Sequence, residues 1–117
     1  MSNLNKVMLM GNMTRDPEIK TLPNESRVVN FGMAINRTWV DPESGDQKSD
    51  VCFVEVSMFG KRAEVIYEYL EKGSPIYIEG RLQLNQWVST EGQKRSMLRV
   101  VANDFQFIGR KREYSEE

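Results

Sequence analysis

"VCFVEVSMFGKRAEVIYEYLEKGSPIYIEGRLQLNQW", residues 51–87, changes its hydrophobic period twice. The opening "VCFVEVSMF" is rich in β-branched and aromatic side chains and reads as a strand. Within "GKRAEVIYEYLEKG", Ala63, Ile66, Tyr67 and Leu70 recur at helical spacing. Glu64, Glu68 and Lys72 stand four apart and fall on the outer side of that helix. Gly73 is a natural C-terminal stop, with Pro75 two residues on. "IYIEGRLQLNQW", 76–87, returns to period two and puts Ile76, Ile78, Leu82 and Leu84 on one face.

Working outward, "NKVMLMGNM" (5–13) reads as a first strand, and "DPE" (16–18) and "LPNES" (22–26) read as turns. "RVVNFGMAINRTW" (27–39) is a long β-type run in which Gly32 suggests a bend or bulge. "VDPESGDQKSD" (40–50) is a loop or hairpin tip, and "STEGQK" (89–94) turns the chain into a fifth strand at 96–108. "GRKREYSEE" (109–117) is a charged tail. The order β-β-β-α-β-β predicts an all-β protein with one helix: a five-stranded Greek-key barrel, the OB-fold, over residues 1–108. An ordinary α+β sandwich has the same order.

With 117 residues, the chain has the length of one domain that buries an ordinary core. Charged residues at 28% and hydrophobic residues at 39% describe a globular protein. No apolar run approaches the roughly 20 residues of a membrane span, and the N-terminus lacks a signal-peptide layout. Cys52, the single cysteine, has no internal disulfide partner, so a cytoplasmic address is expected. Val7 and Leu9 alternate with Met8 and Met10, and Val28 opposes Val29, so strands are apolar on both faces. An antiparallel sheet normally keeps one wetter face, so either the barrel is tightly closed or the second face packs on another subunit, and the homo-oligomer is the favoured reading.

Catalytic chemistry is poorly provided for. There is no His, the commonest general base and metal ligand, and one Cys excludes Cys-rich zinc sites. "GNMTRD" and "GKRAE" lack the glycine spacing of a phosphate loop. Asp50, Glu55, Glu79 and Asp104 read as strand-edge acids rather than a metal site. No nucleophile–base pair stands out, so no catalytic residue, metal or cofactor is expected.

The informative pattern is aromatic residues interleaved with cations. Phe53 and Phe59, six apart on one strand, share a face with Glu55 and Ser57, while Val54, Val56 and Met58 take the other. Such a face is too polar for a core, so it meets solvent or a ligand. Trp39 and Trp87 sit at the bases of two polar loops, where little surface is available to bury them. A protein that binds unpaired bases without reading sequence needs aromatic platforms and cations along a groove. Trp39, Phe53, Phe59 and Trp87 are the candidate platforms. Candidate phosphate contacts are Arg37, Lys48, Lys61, Arg62, Lys72, Arg81, Lys94, Arg95 and Arg99. Phe31, Phe105 and Phe107 are assigned to core or interface, and Tyr67 and Tyr69 to helix packing. Against a nucleic-acid partner stand the net charge of −1 and the acidic first loop with Asp41, Glu43, Asp46 and Asp50. The bland alternative is a pair of tryptophans plugging strand ends and ordinary solvated Lys and Arg.

"NKVMLMGNMTRDPE" (5–18), "FVEVSMFGKRAEVIYEYLEKGSPIYIEGRL" (53–82) and Trp87 before a Gly-containing turn closely resemble the bacterial single-stranded DNA-binding protein family, in one register from about residue 5 to residue 108. That resemblance implies an OB-fold, usually a homotetramer, that coats single-stranded DNA in replication, recombination and repair, in the cytoplasm at the nucleoid. It assigns base stacking to Trp39, Phe53, Phe59 and Trp87, and phosphate contact to Lys61, Lys72 and Arg95. Departures are Phe53, where the family often has Trp, and Val54, where some members have a His at a subunit contact. The family typically continues through a Gly/Pro/Gln-rich linker to an acidic tip that recruits replication and repair enzymes. Such partners are expected here only if a tip of that kind follows "EYSEE". The alternative is an OB-type interaction module, such as a primosomal accessory protein, whose aromatics serve protein contacts.

Overall fold

Residues 2–108, which the computed structural model describes, form six strands and one short helix. The strands are β1 (Val7–Met13), β2 (Glu18–Thr21), β3 (Arg27–Val40), β4 (Gln47–Phe59), β5 (Pro75–Val88) and β6 (Lys94–Phe107), and the helix is α1 (Ala63–Tyr69). The tail expected at 109–117 lies outside the described residues. Neighbours run β1-β5-β6-β4-β3, and β1 returns to β3 through Asn12↔Ala34 and Met13↔Met33. Five strands thus close the predicted OB-type barrel, leaving only short free edges. Pairing is antiparallel except between β4 and β6. β2 was not expected. It is a short rung on β3, from Glu18↔Asn30 to Thr21↔Arg27, between the two turn signals that obscured it.

Period-two sequence fills the interior. Val29, Phe31 and Met33 of β3 meet Val56 and Met58 of β4, and Ile76, Ile78 and Val100 complete the layer, all at most 3% exposed. Full burial of each such side chain stabilises by roughly 1.5–3 kcal/mol. α1 has seven residues, too few to persist alone, and is held by fully buried Ala63 and Ile66. The Leu70 N–H donates to the Ile66 carbonyl at 3.0 Å, and Gly73 then takes a left-handed turn at φ 92°. Tyr67 and Tyr69, assigned to helix packing from sequence, are exposed at 47% and 71%. Two turns offer one buried stripe, and Ala63 and Ile66 occupy it.

Two glycines shape the sheet. The β5–β6 register shifts between Glu79 and Gly80, where Glu79 faces Asp104 and Gly80 faces Ala102, leaving Asn103 bulged. A Cβ at Gly80 would run into the Val101 carbonyl and the Ala102 Cα. Of the bend or bulge expected at Gly32, the bulge is absent. The β3–β4 register is unbroken from Val28↔Phe59 to Val40↔Gln47. The missing Cβ there leaves room for the side chains of Thr14 and Arg15.

Candidate nucleic-acid interface

The outer pleat of β4 carries Phe53, Glu55, Ser57 and Phe59, because Val56 and Met58 between them enter the core. Register extends this face in both directions. On β3 it takes in Asn30 and Gly32, which face Ser57 and Glu55. Through Ser57↔Val101 it reaches β6, and the pairs Arg81↔Val101, Gln83↔Arg99, Asn85↔Met97 and Trp87↔Arg95 carry it to the tip of the β5–β6 hairpin. Phe53, Phe59 and Trp87 therefore share one continuous surface, with 70%, 51% and 48% of each exposed.

Trp39 is different. Ile35, on the inner side of the same strand, is the last residue before it that packs against the core. Arg37 and Trp39 continue on that parity beyond the barrel, opposite Asp50 and Lys48. Trp39 projects from the reverse of the β3–β4 hairpin, 37% exposed, with the Arg37 guanidinium 4.1 Å from its ring centroid. Arg37 also lies 3.6 Å from Asp50. The acidic loop next to it builds its own turn: Asp41 Oδ1 accepts from the Glu43 N–H at 3.1 Å and Oδ2 from the Ser44 hydroxyl at 3.2 Å.

The outer face is cross-braced. Arg99 Nη1 donates to Ser57 Oγ at 2.8 Å, and Ser57, 2% exposed, donates to Asn30 Oδ1 at 2.6 Å. Arg99 Nε is buried without a hydrogen-bond partner. Arg15 forks onto Glu55 through Nη1–Oε2 at 2.8 Å and Nη2–Oε1 at 3.0 Å. That hydrogen bond pushes the guanidinium above its ordinary value, with burial opposing the shift.

Of the sequence-selected cations, Arg95 is directly cross-strand from Trp87, and its Nη2 donates to Gln93 Oε1 at 3.0 Å. Arg81 and Arg99 lie on the same outer face, and Lys48 faces Trp39. Lys94 pairs with Val88, on the reverse of the ribbon from Arg95. Lys61 is exposed in the turn between Phe59 and α1, and Lys72 is exposed after the helix, its N–H donating to Asp16 at 2.8 Å. Arg62 is tied to its neighbours, though its side chain stays 54% exposed: it pairs with Asp104 at 2.7 Å, donates to the Phe105 carbonyl at 3.3 Å and covers the Phe105 ring at 4.6 Å. The hydrogen bond from Arg62 holds the Asp104 carboxyl below its usual range, helped by the Phe105 N–H. Glu79 takes the Tyr77 hydroxyl at 2.7 Å, which pushes that phenol up. Asp50, Glu55, Glu79 and Asp104 thus each meet a cation or a donor, and among the described residues no cluster of three or more potential ligands could hold a metal. Arg15, Asn30 and Ser57 were not singled out as site residues, because their partners lie 27 to 42 positions away in sequence.

Residues 4–108 match the single-strand binding protein family. A relative from Wolinella succinogenes, named single-stranded DNA-binding protein, is 47% identical over 107 residues, 92% of this chain and 65% of that protein. One of the same name from Helicobacter hepaticus is 44% identical over 107 residues, 92% of this chain and 62% of that protein. The chain therefore spans a little under two thirds of the length of these relatives. Among solved structures, a Plasmodium falciparum SSB in complex with ssDNA superposes with a TM-score of 0.83 at 26% identity, covering 93% of this chain and 98% of that one. A deletion mutant of the single-stranded DNA binding protein from Thermus aquaticus gives 0.79 at 30% identity, covering 93% and 52%. A closed five-stranded barrel, one short helix in the expected place and a match along nearly the whole described length agree: the chain belongs to the single-strand binding protein family.

Proposed function

We propose that the OB-fold domain over residues 1–108 binds single-stranded DNA without catalysis and with tolerance for sequence. Support comes above all from one observation: Phe53, Phe59 and Trp87, between 48% and 70% exposed, stand on one polar outer face that also carries Arg81, Arg95 and Arg99. Exposed large rings cost a folded protein favourable burial, and unstacked bases are the partner that recovers it. Each base–aromatic stack contributes roughly 1–3 kcal/mol. Arg95 beside Trp87 places a phosphate ligand next to a platform. Lys61 beside Phe59 and Lys72 after the helix extend the cationic margin.

A strand that also uses Trp39 must pass round the edge of the β3–β4 hairpin. There it meets Lys48, and it stacks on the ring face that Arg37 leaves open or displaces Arg37. Met8 and Met10 on the outer pleat of β1, and Leu84 and Leu98 on the opposite pleat of the β5–β6 hairpin, are 52–59% exposed and offer apolar surfaces for self-assembly into a homotetramer. The cellular roles that fit are replication, recombination and repair, in the cytoplasm at the nucleoid. Among the described residues no helix is long and apolar enough to cross a membrane. Recruitment of replication and repair enzymes would follow only if an acidic tip of the family's kind continues the chain.

Light-scattering mass measured with and without poly-dT, at several salt concentrations, tests the proposal. The protein should associate with the strand, and log K should fall with log salt by about 0.7 for each phosphate neutralised. A mass unchanged by poly-dT, or binding indifferent to salt, contradicts it and favours the interaction-module alternative.

A further inference from the structure

We propose that Arg15 is a strand-contacting cation of the aromatic face, held there by Glu55 in a lane that Gly32 leaves open. Resting on the assignment of this face to single-stranded DNA, the inference adds a contact residue and a local charge balance to it.

Glu55 lies between the Phe53 and Phe59 platforms, on the same pleat of β4. The rise of a strand puts it about 7 Å from one position and about 13 Å from the other. A polyanion spanning both rings passes over this carboxylate, and a bare carboxylate there repels it. Arg15 supplies the compensating charge through its two-point hydrogen bond. A guanidinium has about five N–H donors in a rigid fork. Two are directed at Glu55, so the rest are available outward from a side chain that is 40% exposed.

The route by which Arg15 arrives is built into the backbone. Gly32 is the register partner of Glu55. A Cβ at Gly32 would meet Thr14 Oγ1 and stand 2.8 Å from Arg15 Nη1. The Thr14 N–H donates to the Gly32 carbonyl at 3.0 Å, fixing the chain just before Arg15. Stability alone does not account for this arrangement. The two-point geometry makes this pair stronger than an ordinary surface ion pair, yet at 40% and 34% exposure solvent still screens it, and a glycine in the middle of a strand weakens the strand. A cation carried across β3 onto the DNA face accounts for both.

The test is titration of oligo-dT into the parent, Arg15→Gln, Glu55→Gln and the double variant over a range of salt, with melting temperatures alongside. Arg15→Gln should weaken binding roughly ten-fold at low salt and lower the salt slope by about 0.7. Glu55→Gln should bind at least as tightly as the parent with a steeper slope, because Arg15 is released to the phosphates. The double variant should recover part of the Arg15→Gln loss. Parental affinity and slope in Arg15→Gln, or equal losses in both single variants, overturn the inference. If Arg15→Gln fails to fold, Glu55→Gln decides alone, and a slope no steeper than the parent's overturns the inference. A parent that does not bind oligo-dT sinks the DNA assignment itself, a different outcome from an indifferent Arg15.

Discussion

Phe31 and Phe53 are the same side chain on opposite faces of the β3–β4 ribbon, and truncating each to alanine separates folding from binding. Phe31 is fully buried, so Phe31→Ala removes core contacts and leaves a cavity, costing about 3–5 kcal/mol of stability. Phe53 is 70% exposed, so about 30% of its surface is covered. A phenylalanine buries about 150–250 Å² when fully enclosed, so Phe53→Ala loses about 45–75 Å². At roughly 25 cal/mol per Å² that is about 1–2 kcal/mol, an upper bound because the unfolded chain already buries some of it. For DNA the order reverses. Losing one stacking platform weakens binding by about 1–3 kcal/mol, or roughly 5- to 150-fold. Phe31→Ala leaves the affinity of the folded fraction unchanged. Thermal melts and oligo-dT titrations on the same preparations read both quantities. Phe53→Ala melting as low as Phe31→Ala, or binding oligo-dT like the parent, refutes the assignment of the outer face.

Three further outcomes are expected. Gly80→Ala pushes a methyl into the backbone at Val101 and Ala102, and should lower stability by about 1–3 kcal/mol, read by thermal denaturation. Arg95→Ala should reduce the salt slope of DNA binding by about 0.7, whereas Arg62→Ala, which breaks the contacts to Asp104 and Phe105, should lower the melting temperature more than Arg95→Ala does. Asp104 contributes a pH dependence of definite sign. Above its ordinary value of 3.8 both folded and unfolded chains are ionised and the pair with Arg62 stabilises fully. Below 3.8 the unfolded chain takes up the proton first, so the contribution shrinks as pH falls and vanishes beneath the lowered folded value. Melts of the parent and Asp104→Asn should therefore converge toward acid, and a gap that widens there contradicts the sign.

What could be read from the sequence follows from how local each signal is. The change from period two to helical spacing and back over residues 51–87 places β4, α1 and β5 without any tertiary information. Parity within β4 likewise separates Phe53 and Phe59 from Val56 and Met58. Relations between strands are not legible in this way, because they depend on register. Nothing in the sequence sets Arg95 opposite Trp87, puts Trp39 on the reverse of its hairpin from Phe53, or carries Arg15 across Gly32 to Glu55. β2 was hidden because four residues between two turn motifs are too short to show a period. β4 begins at Gln47 because hairpin pairing continues through polar residues that read as loop. The two helix tyrosines were misplaced because a seven-residue helix buries only a narrow stripe.

If aromatic rings on the outer face receive unstacked bases, Trp87 reports on it directly. The chain has two tryptophans, so Trp39→Phe leaves Trp87 as the sole indole emitter. Titration of that variant with oligo-dT should quench its fluorescence saturably, with a midpoint that moves to higher DNA concentration as salt rises. Emission that stays constant while the strand demonstrably binds would place the bases elsewhere and contradict the stacking mechanism.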